Sequence, residues 1–271
     1  MDELADPQSK SPALESSATS DADLARVLAA NMRAVARRAG LTKRTAARLA
    51  LVKAIQSGVL RPGDRLPPET KLTGILGVSL GTVQAALRQL QLVGAIVRRR
   101  GDGSRVASAE PLGPSVWHFR FLSKATGAPL RITDERVEIS RVSKTGDWSD
   151  YIGGRPAYVR IRRFIVLDDA IRAGAEMFLD AGLAPGLLDM NPNELDMINI
   201  RPYLQERFGI VTAGATHCAR TVRLDARTAS LFGLPSEVDC FEIEAKAYSN
   251  ENLPVYFQRI FVSADACALT F

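Results

Sequence analysis

Histidine and cysteine are scarce in this chain, two and three residues among 271. Cys218, Cys240 and Cys267 are odd in number and widely spaced, with no C-x-x-C pair, so neither a disulfide framework nor a zinc site is suggested. His217 stands beside Cys218, but neighbours on a strand point to opposite faces, and the pair reads as a half-buried thiol next to a polar histidine. No apolar run approaches the roughly 20 residues that a membrane span needs. The N-terminus lacks the basic stretch and apolar run of a signal peptide. No metal, cofactor or membrane partner is expected, and the chain reads as cytoplasmic. Phosphate loops are also missing. No G-x-x-x-x-G-K-[ST] occurs, and Gly101-x-Gly103 lacks the third glycine and following helix of a dinucleotide site.

What is present is an ordinary globular composition, 46% hydrophobic and 24% charged, with length for one large or two modest domains. The charge is uneven. Residues 21–107 hold 16 basic and 5 acidic side chains, whereas residues 108–271 hold 18 and 21. A basic N-terminal third on a near-neutral remainder is the asymmetry expected when one domain meets a polyanion.

Residues 1–20 are rich in Ser, Ala and Pro and are expected to form a disordered tail. Leu24, Val27, Leu28, Met32 and Val35 then follow helical spacing, and a second helix from about Thr42 carries Ala46, Leu49, Val52 and Ile55 on one face. After the turn-rich Leu60–Pro68, a short helix opens at Pro68-Glu69 and closes at Gly77. Val83, Ala86, Leu87, Leu90 and Val93 mark a further helix. Ile96-Val97, Arg98-Arg99-Arg100, the turn Gly101-Asp102-Gly103 and Ser104–Ala107 then form a basic hairpin.

Gly77-Val78-Ser79-Leu80-Gly81 spells the G-x-S-x-G nucleophile elbow. An elbow needs a strand directly before the serine, whereas ETKLTGILG has apolar groups at helical spacing. Ser79 therefore reads as the N-cap of the helix that follows. Three helices and a basic hairpin make a winged helix-turn-helix, with the helix from Leu80 to Val93 in the major groove and the hairpin arginines on phosphate or in a minor groove. The rival reading is a serine hydrolase, with Ser79, a downstream acid and His118 or His217 as base.

The run Gly58, Pro62-Gly63-Asp64-Arg65-Leu66-Pro67, Glu69, Leu72, Gly77-Val78-Ser79, Gly81-Thr82-Val83, Ala86-Leu87, Leu90, Gly94 and Arg98-Arg99-Arg100-Gly101-x-Gly103 resembles the GntR transcription regulators. The resemblance implies DNA contacts from Arg65, Lys71, Ser79, Leu80, Gly81, Thr82, Gln84 and Arg88, and from Arg98, Arg99, Arg100, Gly101, Gly103 and Ser104 of the hairpin. Family members usually carry arginine where this chain has Thr70, Leu80 and Gln84. Gln84 can still read adenine, and Leu80 can meet a thymine methyl or pack. An operator unlike the family's usual one is expected, or weaker binding that leans on Lys71, Arg88 and the wing.

Beyond the Pro- and Gly-bearing linker 108–115, Tyr158–Val166 reads as an arginine-bearing strand, followed by a polar turn over 168–174 and Glu176-Met-Phe-Leu. Ile200–Gly209 reads as a short helix, and Cys240–Tyr248 with Leu253–Val262 as a hairpin. This outline over 116–271 resembles the UTRA effector domain of the HutC subfamily, a chorismate-lyase-like fold of mixed helix and sheet. The fold class is therefore α+β, with the winged domain over 21–107. The resemblance implies a small effector, a phosphorylated sugar or acidic metabolite, held by Arg160 or Arg162, Glu176, Glu244 and Tyr256. It also implies a homodimer on an inverted-repeat, double-stranded operator, acting as repressor or activator and more readily as repressor. A DNA-binding protein with a vestigial pocket is the other reading.

Overall fold

The computed structural model describes residues 20–37, 40–92, 94–99, 102–107 and 120–270. The expected tail, apart from Ser20, and the linker 108–115 lie outside them, as do Arg100 and Gly101.

Four helices open the fold: α1 Asp21–Ala36, α2 Lys43–Gln56, α3 Glu69–Leu76 and α4 Leu80–Leu92. Their starts follow side-chain chemistry. Ser20 Oγ accepts from the Asp23 amide at 3.1 Å, and Thr42 Oγ1 from the Thr45 amide at 3.1 Å, each pairing an amide that has no partner inside its helix. At the end of α3, Gly77 takes φ 65°, a left-handed conformation that suits glycine and turns the chain sharply into α4. Strands β1 Ile96–Arg99 and β2 Gly103–Val106 form the antiparallel wing. Leu28, Leu49, Val52, Leu72, Val83, Leu87 and Leu90 fill the core between the helices.

The second half is one six-stranded antiparallel sheet. Its strands are β4 Ile132–Val142, β5 Tyr158–Leu167, β6 Ile171–Asp180, β7 Gly214–Arg223, β8 Asp239–Tyr248 and β9 Pro254–Ser263. Their spatial order is β4-β5-β6-β9-β8-β7. A small pair, β3 Arg120–Ser123 with β10 Cys267–Thr270, lies apart from it. The turn expected over 168–174 is shorter. Strand β6 already begins at Ile171, because Asp168 and Asp169 both take positive φ, 44° and 60°, and reverse the chain tightly.

Each face of the sheet has its own cover. Against one face lie a 3-10 turn, Pro192–Leu195, and α6 Ile200–Phe208, burying Val159, Ile161, Met177, Leu179 and Tyr256. On the other, α5 Asp147–Ile152 and α7 Ala226–Phe232 cover two ends. Trp148 of α5 stacks on Phe178 at 3.9 Å between centroids. Phe232 of α7 sits over Gly174, where a Cβ would lie 2.5 Å from the phenylalanine, so only glycine admits this approach. The architecture is the expected α+β class, a winged helix-turn-helix followed by a mixed domain. Strands β3, β4, β7 and β10 and helix α5 are additions to what the sequence pattern outlined.

Among the described residues no helix is long and apolar enough to cross a membrane, and no cluster of three His, Cys, Asp or Glu is placed to hold a metal.

Candidate functional site

Ser79 is preceded by helix and turn, and its environment is that of a cap. Its Oγ accepts from the Thr82 amide at 3.3 Å and lies 2.9 Å from Thr82 Oγ1. This arrangement exposes the first turn of α4. Leu80 is 43% exposed, unusual for leucine, and among the described residues nothing lies within 4 Å of where a Gly81 Cβ would be. Thr82 and Gln84 are half-buried and Arg88 is exposed.

The polar groups around this turn are tied together by Glu69 at the start of α3. Its carboxylate accepts from Gln84 Nε2 at 2.9 Å and from the guanidinium of Arg98 on the wing. Lys71 pairs with Asp21 at 2.7 Å, an exposed bridge from α3 to α1 in which the ammonium holds the Asp21 carboxyl below its usual range. Exposed Arg65 lies along the wing, its guanidinium 3.6 Å from where a Gly103 Cβ would be. Ser104 is buried, and its carbonyl accepts from the Leu66 amide, so this residue braces the wing from inside. Arg105, absent from the expected set, braces the wing too. It chelates Asp102 at 2.7 and 3.0 Å and donates to the Gly63 carbonyl at 3.1 Å. Strand β1 carries Arg99 at its end, and Arg100 and Gly101 fall outside the described residues.

The sheet presents a second arrangement, invisible in any one segment. Strand register aligns Glu138, Arg162, Glu176, Arg259, Glu244 and Cys218 in one row across all six strands. The first five alternate in charge. On β6, Glu176 lies midway between Gly174 under α7 and Phe178 under α5, so the row crosses the sheet between the two helices. Arg259 donates to Glu176 at 2.8 Å and to Asp147 at 3.0 Å. Arg162 stands 3.8 Å from Glu176 and 3.9 Å from Glu138, longer contacts that leave the guanidinium less committed. Burial first, and then the neighbouring charge of Arg160, push the Arg162 guanidinium below its ordinary value, against the pull of Glu176 and Glu138. Arg160 shares the face, donates to Ser140 Oγ at 3.1 Å and forms no ion pair among the described residues.

Of the residues expected to hold an effector, the sheet thus brings together Arg160, Arg162, Glu176 and Glu244. Tyr256 is on the opposite face, buried against α6, where desolvation pushes its phenol up to about 12. Arg259, Glu138 and Asp147 join the group unforeseen. Alternation along β9 does carry a signal for Arg259, since residue 259 lies an odd three positions from Tyr256 and so on the other face.

A cavity of about 460 Å³ lies elsewhere, between the two halves of the chain, lined by Arg44 and Gln89 from the helices and by Glu194, Ile198, Tyr203 and Arg207 among others. It does not include the row.

Residues 43–106 match the bacterial regulatory proteins of the gntR family, and residues 154–268 match the UTRA domain. The HTH-type transcriptional regulator SmoD of Agrobacterium fabrum is 30% identical over 145 residues, 53% of this chain and 60% of that protein. The histidine utilization repressor of Klebsiella aerogenes is 38% identical over 96 residues, 35% of this chain and 39% of its own. The chain therefore spans less than two thirds of either relative. The crystal structure of PhnF from Mycobacterium smegmatis, 19% identical, covers 81% of this chain and 95% of that one with a TM-score of 0.44.

Proposed function

This chain belongs to the GntR family of bacterial regulatory proteins and carries a UTRA domain behind its winged helix-turn-helix, and we propose on that premise that it is a metabolite-responsive transcription regulator, a repressor, that binds an inverted-repeat operator as a homodimer. The observation that carries this reading is the Ser79-capped start of α4, which presents Leu80, Gly81 and Arg88 to solvent, with half-buried Thr82 and Gln84 among them, beside an arginine-bearing wing. A helix end of that kind reads base edges, while the surrounding cations neutralise phosphate.

The effector face is the charged row, and the ligand is a small acidic metabolite, whether carboxylate or sugar phosphate. Its anionic end pairs with Arg160 and with the loosely held Arg162, and its polar body lies along Glu176 and Glu244. Ligand control requires different affinities for DNA-competent and DNA-incompetent arrangements, since equal affinity shifts nothing. Selection of bound duplex from a random pool, followed by fluorescence anisotropy over a salt series, tests the first half. Affinity should fall steeply with salt, and a flat response would count against it. A thermal-shift panel of carboxylic acids and sugar phosphates tests the second, and Arg160→Met should abolish any shift found. A specific observation supports the vestigial-pocket reading, namely that Arg259 is already fully countered by Glu176 and Asp147. A panel without a single shift favours it.

A further inference from the structure

Residues 191–198 join the two halves of the molecule in an unusual way, because they are held from both sides through their backbone. From the winged domain, Arg48 of α2 is wholly buried, and its guanidinium donates to the carbonyls of Asp196 at 2.7 Å and of Asn193 and Glu194 at 3.4 Å. Arg44 pairs with Glu194 at 2.9 Å, and Asn191 reaches back to the Gly40 carbonyl at 2.8 Å. From the sheet, Glu135 of β4 accepts from the Met197 amide at 2.5 Å, and Arg163 of β5 donates to the Ile198 carbonyl at 3.2 Å. Arg163 and Glu135 themselves form a buried pair in which Arg163 Nη1 donates to both carboxylate oxygens, at 2.8 and 2.9 Å.

The apolar side chains divide likewise. Leu195 packs into the core of the sheet, while Met197 and Ile198 pack into the core of the helices. Between the two sets of bonds, Met197 takes φ 57°, a left-handed conformation that a residue with a side chain keeps only where its surroundings impose it. The position of Arg163 adds the last element. It directly follows Arg162 on β5, so one residue faces the charged row and the next holds the segment beneath the sheet.

We propose that Arg48 and Arg163 are positioning residues for a strut, residues 191–198, through which the charged face of the sheet biases the placement of the DNA-binding helices. The proposal rests on the regulatory reading above and names its route. A change in the balance of charge around Arg162 alters the set of β5, hence of Arg163 and Ile198, and the strut passes it to α2 through Arg48. A chain of contacts alone does not establish coupling, so the test is a thermodynamic cycle.

In the full chain, Glu176→Gln perturbs the row without changing its size, and Arg48→Met cuts the strut from α2. Affinity for a duplex selected from a random pool is measured for wild type, each variant and the pair. The strut predicts that Glu176→Gln moves the dissociation constant by about fivefold or more when Arg48 is present, a typical coupling strength, and by less than about twofold when it is absent. Equal effects in both backgrounds, including none in either, overturn the proposal. Arg48→Lys, which keeps the charge but cannot reach three carbonyls, gives the same reading if Arg48→Met fails to fold. Calorimetry needs no DNA and separates this proposal from the regulatory one. Wild type should unfold in one transition and the Arg48 variants in two, and two transitions in wild type or one in the variants overturn the strut. A wild type that binds no duplex but passes the calorimetric test refutes DNA regulation and leaves the strut standing as a mechanical link.

Discussion

The side-chain amide of Gln84 donates to the Glu69 carboxylate at 2.9 Å, so the residue expected to read adenine is held by α3. The same carboxylate holds Arg98 of the wing. Two groups suited to DNA thus share one anion, and on the proposed reading a bound duplex would compete with Glu69 for both, through phosphate at Arg98 and a base edge at Gln84.

Replacing Glu69 by Gln keeps a hydrogen-bond partner for Gln84 but releases Arg98 and removes a negative charge that faces phosphate. Affinity should rise for all duplexes, and the slope of log K against log salt should steepen by about 0.9, the increment for neutralising one more phosphate. Arg98→Ala should do the reverse, weakening all sequences alike. Anisotropy titrations between about 50 and 200 mM salt, where phosphate neutralisation changes affinity most visibly, check both. A loss of affinity in Glu69→Gln would mean that the carboxylate instead aims Arg98 at the DNA.

Sequence preference rests on different residues. Gln84→Ala should erase an adenine preference at one position of each half-site, at a cost of about 1–3 kcal/mol against the best sequence. Leu80→Arg should introduce a guanine preference through O6 and N7, since the exposed Leu80 has room for a longer side chain at the tip of α4. Selection from a random pool with each variant reads these changes directly. An unchanged consensus in both would remove α4 as the reading helix.

Legibility in the sequence followed the range of the interactions. Ser79 and Gly77 act within three or four residues of themselves, so their roles as cap and stop could be read from local order. The pair Arg160 and Arg162 was legible because alternate positions share a strand face. The row they belong to was not, since its members lie between residues 138 and 259 and meet only through strand pairing. Arg48 was equally hidden. On a basic helix it resembles a solvated arginine, and only the docking of residues 193–196 buries it. There burial pushes its guanidinium down to about 10, with Asp196, Glu135 and Glu194 opposing, so it stays charged near neutral pH.

His217 supplies a pH dependence with a definite sign. Partial burial, and next the charge of Arg201, lower its pKa from the ordinary value near 6.5. The unfolded chain therefore binds the proton more readily, and this contribution to stability, present above about pH 6.5, is lost as the pH falls through the folded-state value. His217→Gln should flatten the melting temperature between about pH 5 and 7 relative to wild type. Parallel curves for the two proteins would show that the histidine titrates alike in both states.

Gly174→Ala tests the wall of the charged row. The new methyl would fall 2.5 Å from Phe232, whose ring also lies 5.5 Å from the Arg162 guanidinium. Helix α7 must then move outward, and overpacking of this kind costs about 1–3 kcal/mol. Urea unfolding should report that loss. Any thermal shift caused by a metabolite should shrink as well, because Arg162 loses the ring beside it. Unimpaired binding in a destabilised variant would place the ligand away from α7.

Cys218 offers a direct report on occupancy of the row. Cys240 and Cys267 are buried, and burial raises both thiols, Cys267 to about 11, so they contribute little thiolate near neutral pH. Cys218 is exposed at the far end of the row, directly across from Glu244. Iodoacetamide should therefore modify one thiol per folded chain, identified as Cys218 by peptide mass. A bound metabolite that extends from Arg160 to Glu244 should slow that reaction without changing it in urea. Rapid modification of all three thiols would contradict the burial of the sheet core. An unaltered rate under a metabolite that raises the melting temperature would confine the ligand to the β5 side of the row, near Arg160 and Arg162.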